Sequence, residues 1–198
     1  MTKFLLLLGP SGVGKSTLIQ ELKRLDERFT YISQYITRPL RKGEEDKISI
    51  SDQTMDKLSK EDQFLAINEL YGIRYATPKS SILTAFAEGK FPVLDWPISK
   101  IGVMIDVFRD KLLTVYVSPT NIGELSERIS KDGRDRNGDR FKEASKELSV
   151  FWAGKFNHIL DMKVVNKTGQ ASSIAKEIYL RYIKSLKEGN IGFNKEKL

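Results

Sequence analysis

Residues Gly9-Pro10-Ser11-Gly12-Val13-Gly14-Lys15-Ser16 spell G-x-x-x-x-G-K-S, between an apolar run at 3–8 and a segment with Leu18, Ile19, Leu22 and Leu25 at helical spacing. A strand that enters a helix through such a loop has few other ways to fold. Glycine lets the chain turn successive N–H groups inward, where a side chain would collide with whatever they enclose. The helix N-terminus that follows adds partial positive charge. The loop is therefore a cradle for phosphate. Lys15, expected to be exposed in the loop, brings a mobile charge to the β- and γ-phosphates of a nucleoside triphosphate, and the Ser16 hydroxyl is placed to ligate Mg²⁺.

The rest of the chain alternates strand and helix patterns, which predicts an α/β fold with a mainly parallel core sheet flanked by helices. Buried strands are expected at 3–8, 91–94, 112–117 and Met162–Val165, and a last amphipathic helix carries Ile174, Ile178, Tyr182 and Leu186 on one stripe. The strand at 91–94 runs into Asp95, a carboxylate at a strand end and hence a candidate to organise Mg²⁺ directly or through water. Two polar segments, about 34–88 and about 130–146, read as insertions above the carboxyl edge of the sheet, where α/β proteins place ligands. One domain over 1–188 is expected, with its core at 1–33 and 89–188, and 189–198 reads as a fraying tail.

Composition removes several kinds of chemistry. With no cysteine and one histidine, His158, the chain has no thiolate metal site, no cysteine nucleophile and no histidine-rich metal centre. No apolar stretch reaches the 18 or so residues that a membrane helix needs, so a cytoplasmic protein without a membrane is expected. The net charge of +7 comes from Lys and Arg interleaved with Asp and Glu, as across 131–140. That pattern suits a small polyanion such as a nucleotide better than nucleic acid.

Across nearly its whole length the chain resembles the guanylate kinase family. After the phosphate loop and Thr17 come Thr37-Arg38-Pro39-Leu40-Arg41-Lys42-Gly43-Glu44, then Gly72-Ile73-Arg74-Tyr75-Ala76-Thr77-Pro78, Glu88-Gly89-Lys90 with Leu94-Asp95, and Gly133-Arg134 with Arg140. The resemblance implies a P-loop kinase with a monophosphate-binding insertion and an arginine-bearing lid. It implies that Ser11, Gly12, Val13, Gly14, Lys15, Ser16 and Thr17 bind ATP together with Arg134 and Arg136. It implies that Arg38, Arg41 and Tyr75 hold the phosphate of the acceptor, with Thr77 at its base and Asp95 near both Mg²⁺ and acceptor. Lys15, Asp95, Arg134 and Arg140 are then the catalytic set. A monomer or homodimer acting on small-molecule nucleotides is expected.

The departures from the family fall on the base side of the acceptor site. Ala66 stands where the family's guanine-reading glutamate belongs, Gln34 where a serine is expected, and Pro97 where an aspartate is; no tyrosine occurs between Gly43 and Leu58. Asn68 and Glu69 are the residues able to substitute, and Trp96 is either a base-stacking or a core aromatic. Guanine reading relies on an acceptor for N1–H and the exocyclic amine, so weaker discrimination of GMP from other acceptors is expected. The reaction implied is phosphoryl transfer from ATP to GMP or dGMP. Its alternatives are another phosphorylated acceptor, such as a different nucleoside monophosphate or ribose 1,5-bisphosphate, a non-catalytic interaction module, and a P-loop ATPase coupled to a partner.

Overall fold

The computed structural model describes residues 2–135 and 137–188; Arg136 and the tail at 189–198 lie outside the described residues. Five strands make a wholly parallel sheet: β1 (Phe4–Leu8), β2 (Phe29–Tyr31), β7 (Phe91–Asp95), β8 (Leu112–Ser118) and β9 (Met162–Val165), in the order β2-β7-β1-β8-β9. Every residue of β1 and β8 is buried, as expected of strands covered on both faces. The covering helices include α1 (Lys15–Leu25), α4 (Ile101–Phe108) and α7 (Ala171–Ser185). Leu18, Ile19 and Leu22 of α1 join the core, but Leu25 is 45% exposed, because the helix ends there and Asp26 leaves it in an extended conformation. Ile174, Ile178 and Tyr182 of α7 are buried as the periodicity required. Tyr182 packs on Phe29 and Phe91 and donates to the Lys3 carbonyl at 2.6 Å, so it fastens α7 to one end of the sheet.

β2 was not anticipated from the sequence. Its three residues are too few to show a pattern, and only pairing with β7, Phe29 against Phe91, makes them a strand.

The segment after β2 folds into a second sheet in the order β4-β3-β6-β5, from β3 (Gln34–Ile36), β4 (Lys47–Ser49), β5 (Phe64–Leu70) and β6 (Ile73–Pro78). Strand alternation gives it two faces. Tyr35, Ile67 and Ala76 turn outward and pack with Phe64 against Met55 of α2 (Asp52–Lys60), whose first turn is capped by Ser51. Gln34, Lys47, Tyr75, Thr77 and Asn68 lie on the opposite, inner face. Helix α3 (Lys79–Ala87) lies in sequence within the polar segment but packs Ile82 and Ala85 into the main core. Helices α5 (Ile122–Lys131) and α6 (Asp139–Trp152) flank a loop that carries Arg134, and Arg140 stands in the first turn of α6.

Candidate active site

The phosphate loop bridges β1 and α1 as its sequence demands. Gly9, Gly12 and Gly14 all have positive φ. A Cβ on Gly9 would stand 2.2 Å from the Val117 carbonyl oxygen, so the loop is seated on β8 with no room for a side chain. Behind it, Asn166 donates to the Val13 carbonyl at 2.7 Å, and Arg128 donates to the Asn166 carbonyl at 2.7 Å. Neither residue was legible beforehand, because each reaches the loop only through the fold.

Lys15 is partly buried rather than exposed. Its ammonium donates to the carbonyls of Gly9 and, at 2.9 Å, of Pro10. Burial lowers its pKa, and the carboxylates of Asp95 and Glu147 oppose that shift. Glu147, on α6, is a carboxyl that burial pushes up while Lys15 pulls it down, and it accepts from the Tyr116 hydroxyl at 3.1 Å. Sequence spacing gave no sign of Glu147. Ser16 and Thr17 are exposed at the mouth of the loop.

The lid reaches the loop. Arg140, in the first turn of α6, donates to the Ser11 hydroxyl at 2.6 Å and to Asp132 at 2.7 Å. Arg134 pairs with the same carboxylate. Arg41, from the acceptor side, has its pKa lowered by burial and then by the positive charges of Arg134 and Arg38. Arginines from both sides of the cleft therefore share one field.

On the acceptor side, Arg38 lays its guanidinium fork on Glu44 at 2.6 and 2.7 Å, with both side chains only 13% exposed. Arg38 and the Arg41 backbone N–H hold the Glu44 carboxyl down at about 2, against the opposing effect of burial. The Tyr75 hydroxyl lies against Arg38, whose Nε is buried without a hydrogen-bond partner among the described residues. Deeper in the cleft, Gln34 donates to Thr77 Oγ1 at 3.1 Å. Lys47 donates to Gln34 Oε1 at 3.2 Å and to the Tyr31 hydroxyl, and Tyr31 donates to Asp95 Oδ1 at 2.7 Å. Burial favours the neutral form of Asp95, yet Lys47, Lys15 and the Tyr31 hydrogen bond together hold its pKa below the usual carboxylate value. Lys47 and Tyr31 escaped the sequence reading, which had looked for a tyrosine after Gly43.

Asn68 is buried on this inner face, whereas Glu69 is exposed and alternates to the other side, opposite Arg74. The structure thus brings Asn68 and not Glu69 to the cleft. Trp96 is buried and donates to the Lys100 carbonyl at 3.0 Å, which makes it a core residue rather than a stacking platform.

A phosphate-bearing nucleotide fits this frame: a loop with positive φ at Gly9, Gly12 and Gly14, backed so closely that a Cβ at each would strike protein, with the Lys15 ammonium bonded to its carbonyls. Among the described residues no group of three or more Asp, Glu or His side chains could hold a metal ion. Mg²⁺ would have to rely on Ser16, Asp95 and the phosphates themselves. No helix among the described residues is long and apolar enough to cross a membrane.

Comparison with known proteins shows the family. The guanylate kinase family model matches residues 1–175. Guanylate kinase of Bdellovibrio bacteriovorus is 29% identical over 182 residues, covering 89% of this chain and 98% of that protein. Guanylate kinase of Mycoplasmopsis pulmonis is 31% identical over 190 residues, covering 89% and 93%. Among solved structures, guanylate kinase from Anaplasma phagocytophilum superposes with a TM-score of 0.71 at 19% identity, over 92% of this chain and 85% of that one. Shikimate kinase from Acinetobacter baumannii in complex with shikimate superposes at 0.52, with 18% identity over 96% and 97%, a likeness of fold alone.

Proposed function

Since the chain belongs to the guanylate kinase family, we propose that it transfers the γ-phosphoryl group of ATP to the phosphate of GMP or dGMP, giving ADP and the nucleoside diphosphate. The observation that carries this reading is the position of Arg140, which donates both to Ser11 of the phosphate loop and to Asp132, the carboxylate that also holds Arg134. Phosphoryl transfer needs two phosphates positioned in line and their charge neutralised, and it needs little else from the protein.

In this reading the loop N–H groups of residues 11–17 and the Lys15 ammonium hold the donor phosphates. Arg38, Arg41 and Tyr75 hold the acceptor phosphate, and a bidentate fork orients as well as binds. The Arg38–Glu44 pair keeps that fork aligned, ready to share itself with an anion. Arg134 and Arg140, anchored on Asp132, neutralise charge that spreads over the transferred group. Mg²⁺ would be held at Ser16 and through Asp95, and it would supply further neutralisation of the phosphate oxygens. No general base is required of the chain, because the acceptor phosphate is itself the nucleophile. Closure of the lid excludes water that would otherwise hydrolyse ATP.

A second reading, another phosphorylated acceptor, is favoured by one observation: no strand residue on the inner face of the acceptor sheet is a carboxylate. ADP release at saturating Mg-ATP with GMP, dGMP, AMP, CMP, UMP, dTMP or ribose 1,5-bisphosphate separates the two. Turnover with GMP and dGMP above all the others is expected. A higher rate with any other member of that panel overturns the first reading.

A further inference from the structure

The inner face of the acceptor sheet carries one charged strand residue, Lys47, whose side chain is only 10% exposed. An ammonium donates and never accepts. That fixes the direction of every hydrogen bond built on it. Because Gln34 turns its oxygen to Lys47, its amide nitrogen is left for Thr77 Oγ1. Because the Tyr31 oxygen accepts from Lys47, its proton goes to Asp95. Two chains of hydrogen bonds start at Lys47 and run outward in one sense.

The Gln34 chain ends at Thr77, whose oxygen accepts from Gln34 on one lone pair and whose proton is left to give elsewhere. Asn68 lies on the same face, two residues along β5 from Ala66, which pairs with Thr77. It is 4% exposed, and its side-chain nitrogen has no partner among the described residues. The face therefore offers donors. Two nearby carboxylates are already committed: Asp95 takes the Tyr31 proton, and Glu44 is held by Arg38 and the Arg41 backbone N–H.

We propose that Lys47 is a specificity-determining positioning residue: by fixing the sense of these hydrogen bonds it makes the inner face read the oxo edge of a 6-oxopurine nucleoside monophosphate and leave a 2-amino group unread. The proposal rests on the reading of this chain as a kinase of GMP. Guanine presents acceptors at N7 and O6, where adenine presents a donor at N6. Hypoxanthine shares the first pattern and lacks only the 2-amino group. A donor face meets both oxopurines equally and meets adenine with buried donors opposed, which such sites reject strongly.

The test is kcat/KM for GMP, IMP and AMP, first in the native protein and then in Lys47→Met. The native protein is expected to use IMP within about tenfold of GMP, and AMP at least about a hundredfold less well. In Lys47→Met the amide of Gln34 is free to turn over and Thr77 to accept. The AMP-to-GMP ratio should then rise at least about tenfold. A structural role alone would lower both acceptors together, and that result overturns the proposal. So does IMP a thousandfold below GMP in the native protein, a measurement that needs no variant to fold; it leaves the kinase reading standing. If GMP and IMP both fail while another acceptor is turned over, the kinase reading falls and this proposal with it.

Discussion

The two sides of the cleft are built on different principles. The phosphate loop is a run of contiguous residues held by shape, with Gly9 pressed on β8, Gly12 on α5, and Asn166 and Arg128 bracing it from behind. The acceptor side gathers single residues from four short strands and joins them by ion pairs and hydrogen bonds, with a core of only Met55, Phe64 and Ala76 beneath. Shape tolerates no change, whereas a hydrogen-bonded row can be rewired one residue at a time. That contrast explains why the loop matches its motif at every position while Ala66, Gln34 and Pro97 depart from the family beside it.

The most severe test of the contrast is Lys15→Ala. Loss of this charge is expected to lower kcat by about a thousandfold, as for other groups that stabilise transferred charge, with circular dichroism and melting unchanged. A folded variant that keeps more than a tenth of native turnover, about a factor of ten, breaks the assignment of the loop.

Next in size is a pair of glycine substitutions. Gly9→Ala drives a Cβ into the Val117 carbonyl at 2.2 Å, whereas Gly43→Ala, in the acceptor loop, meets nothing within 4 Å although both have positive φ. Urea unfolding should show a loss of at least about 3 kcal/mol for the first and about 1 kcal/mol for the second. Equal losses would mean that the loop is not held by shape.

Arg38→Ala sharpens the comparison from the acceptor side. KM for GMP should rise by about thirtyfold or more, since a bidentate charged contact is lost, and KM for ATP should stay within about twofold. Equal effects on both substrates would place Arg38 outside the acceptor half.

The smallest effect is a pH dependence. The folded pKa of Glu44, about 2, lies below its ordinary value of 4.5. Its contribution is therefore complete above pH 4.5 and is lost as pH falls through about 2. The stability difference between native protein and Glu44→Gln should be about 1–2 kcal/mol near neutrality and shrink in acid. A difference that holds constant down to that pH removes the ion pair as the origin of the order around Arg38.

The uneven legibility of the molecule has the same cause. The loop, α1, β1, β8 and α7 could be read in advance because burial on both faces or on one stripe leaves a long periodic trace, as in 4–8 and in Ile174, Ile178 and Tyr182. β2, β3 and β4 left none, each being three residues long. Glu69 was a reasonable substitute for a missing carboxylate until strand alternation turned it away from the cleft, and Asn68 toward it.

By itself, then, the amino-acid sequence determined the phosphate cradle, the parallel α/β core and the family, because each rests on residues adjacent in the chain or on a repeating pattern. Only the tertiary structure decided how the base side is wired. Lys47, Tyr31, Gln34, Thr77 and Asp95 are scattered through the chain, and the sense of the hydrogen bonds among them follows from which strand faces which. Pairing across a sheet is a property of three-dimensional register, and no local spacing encodes it.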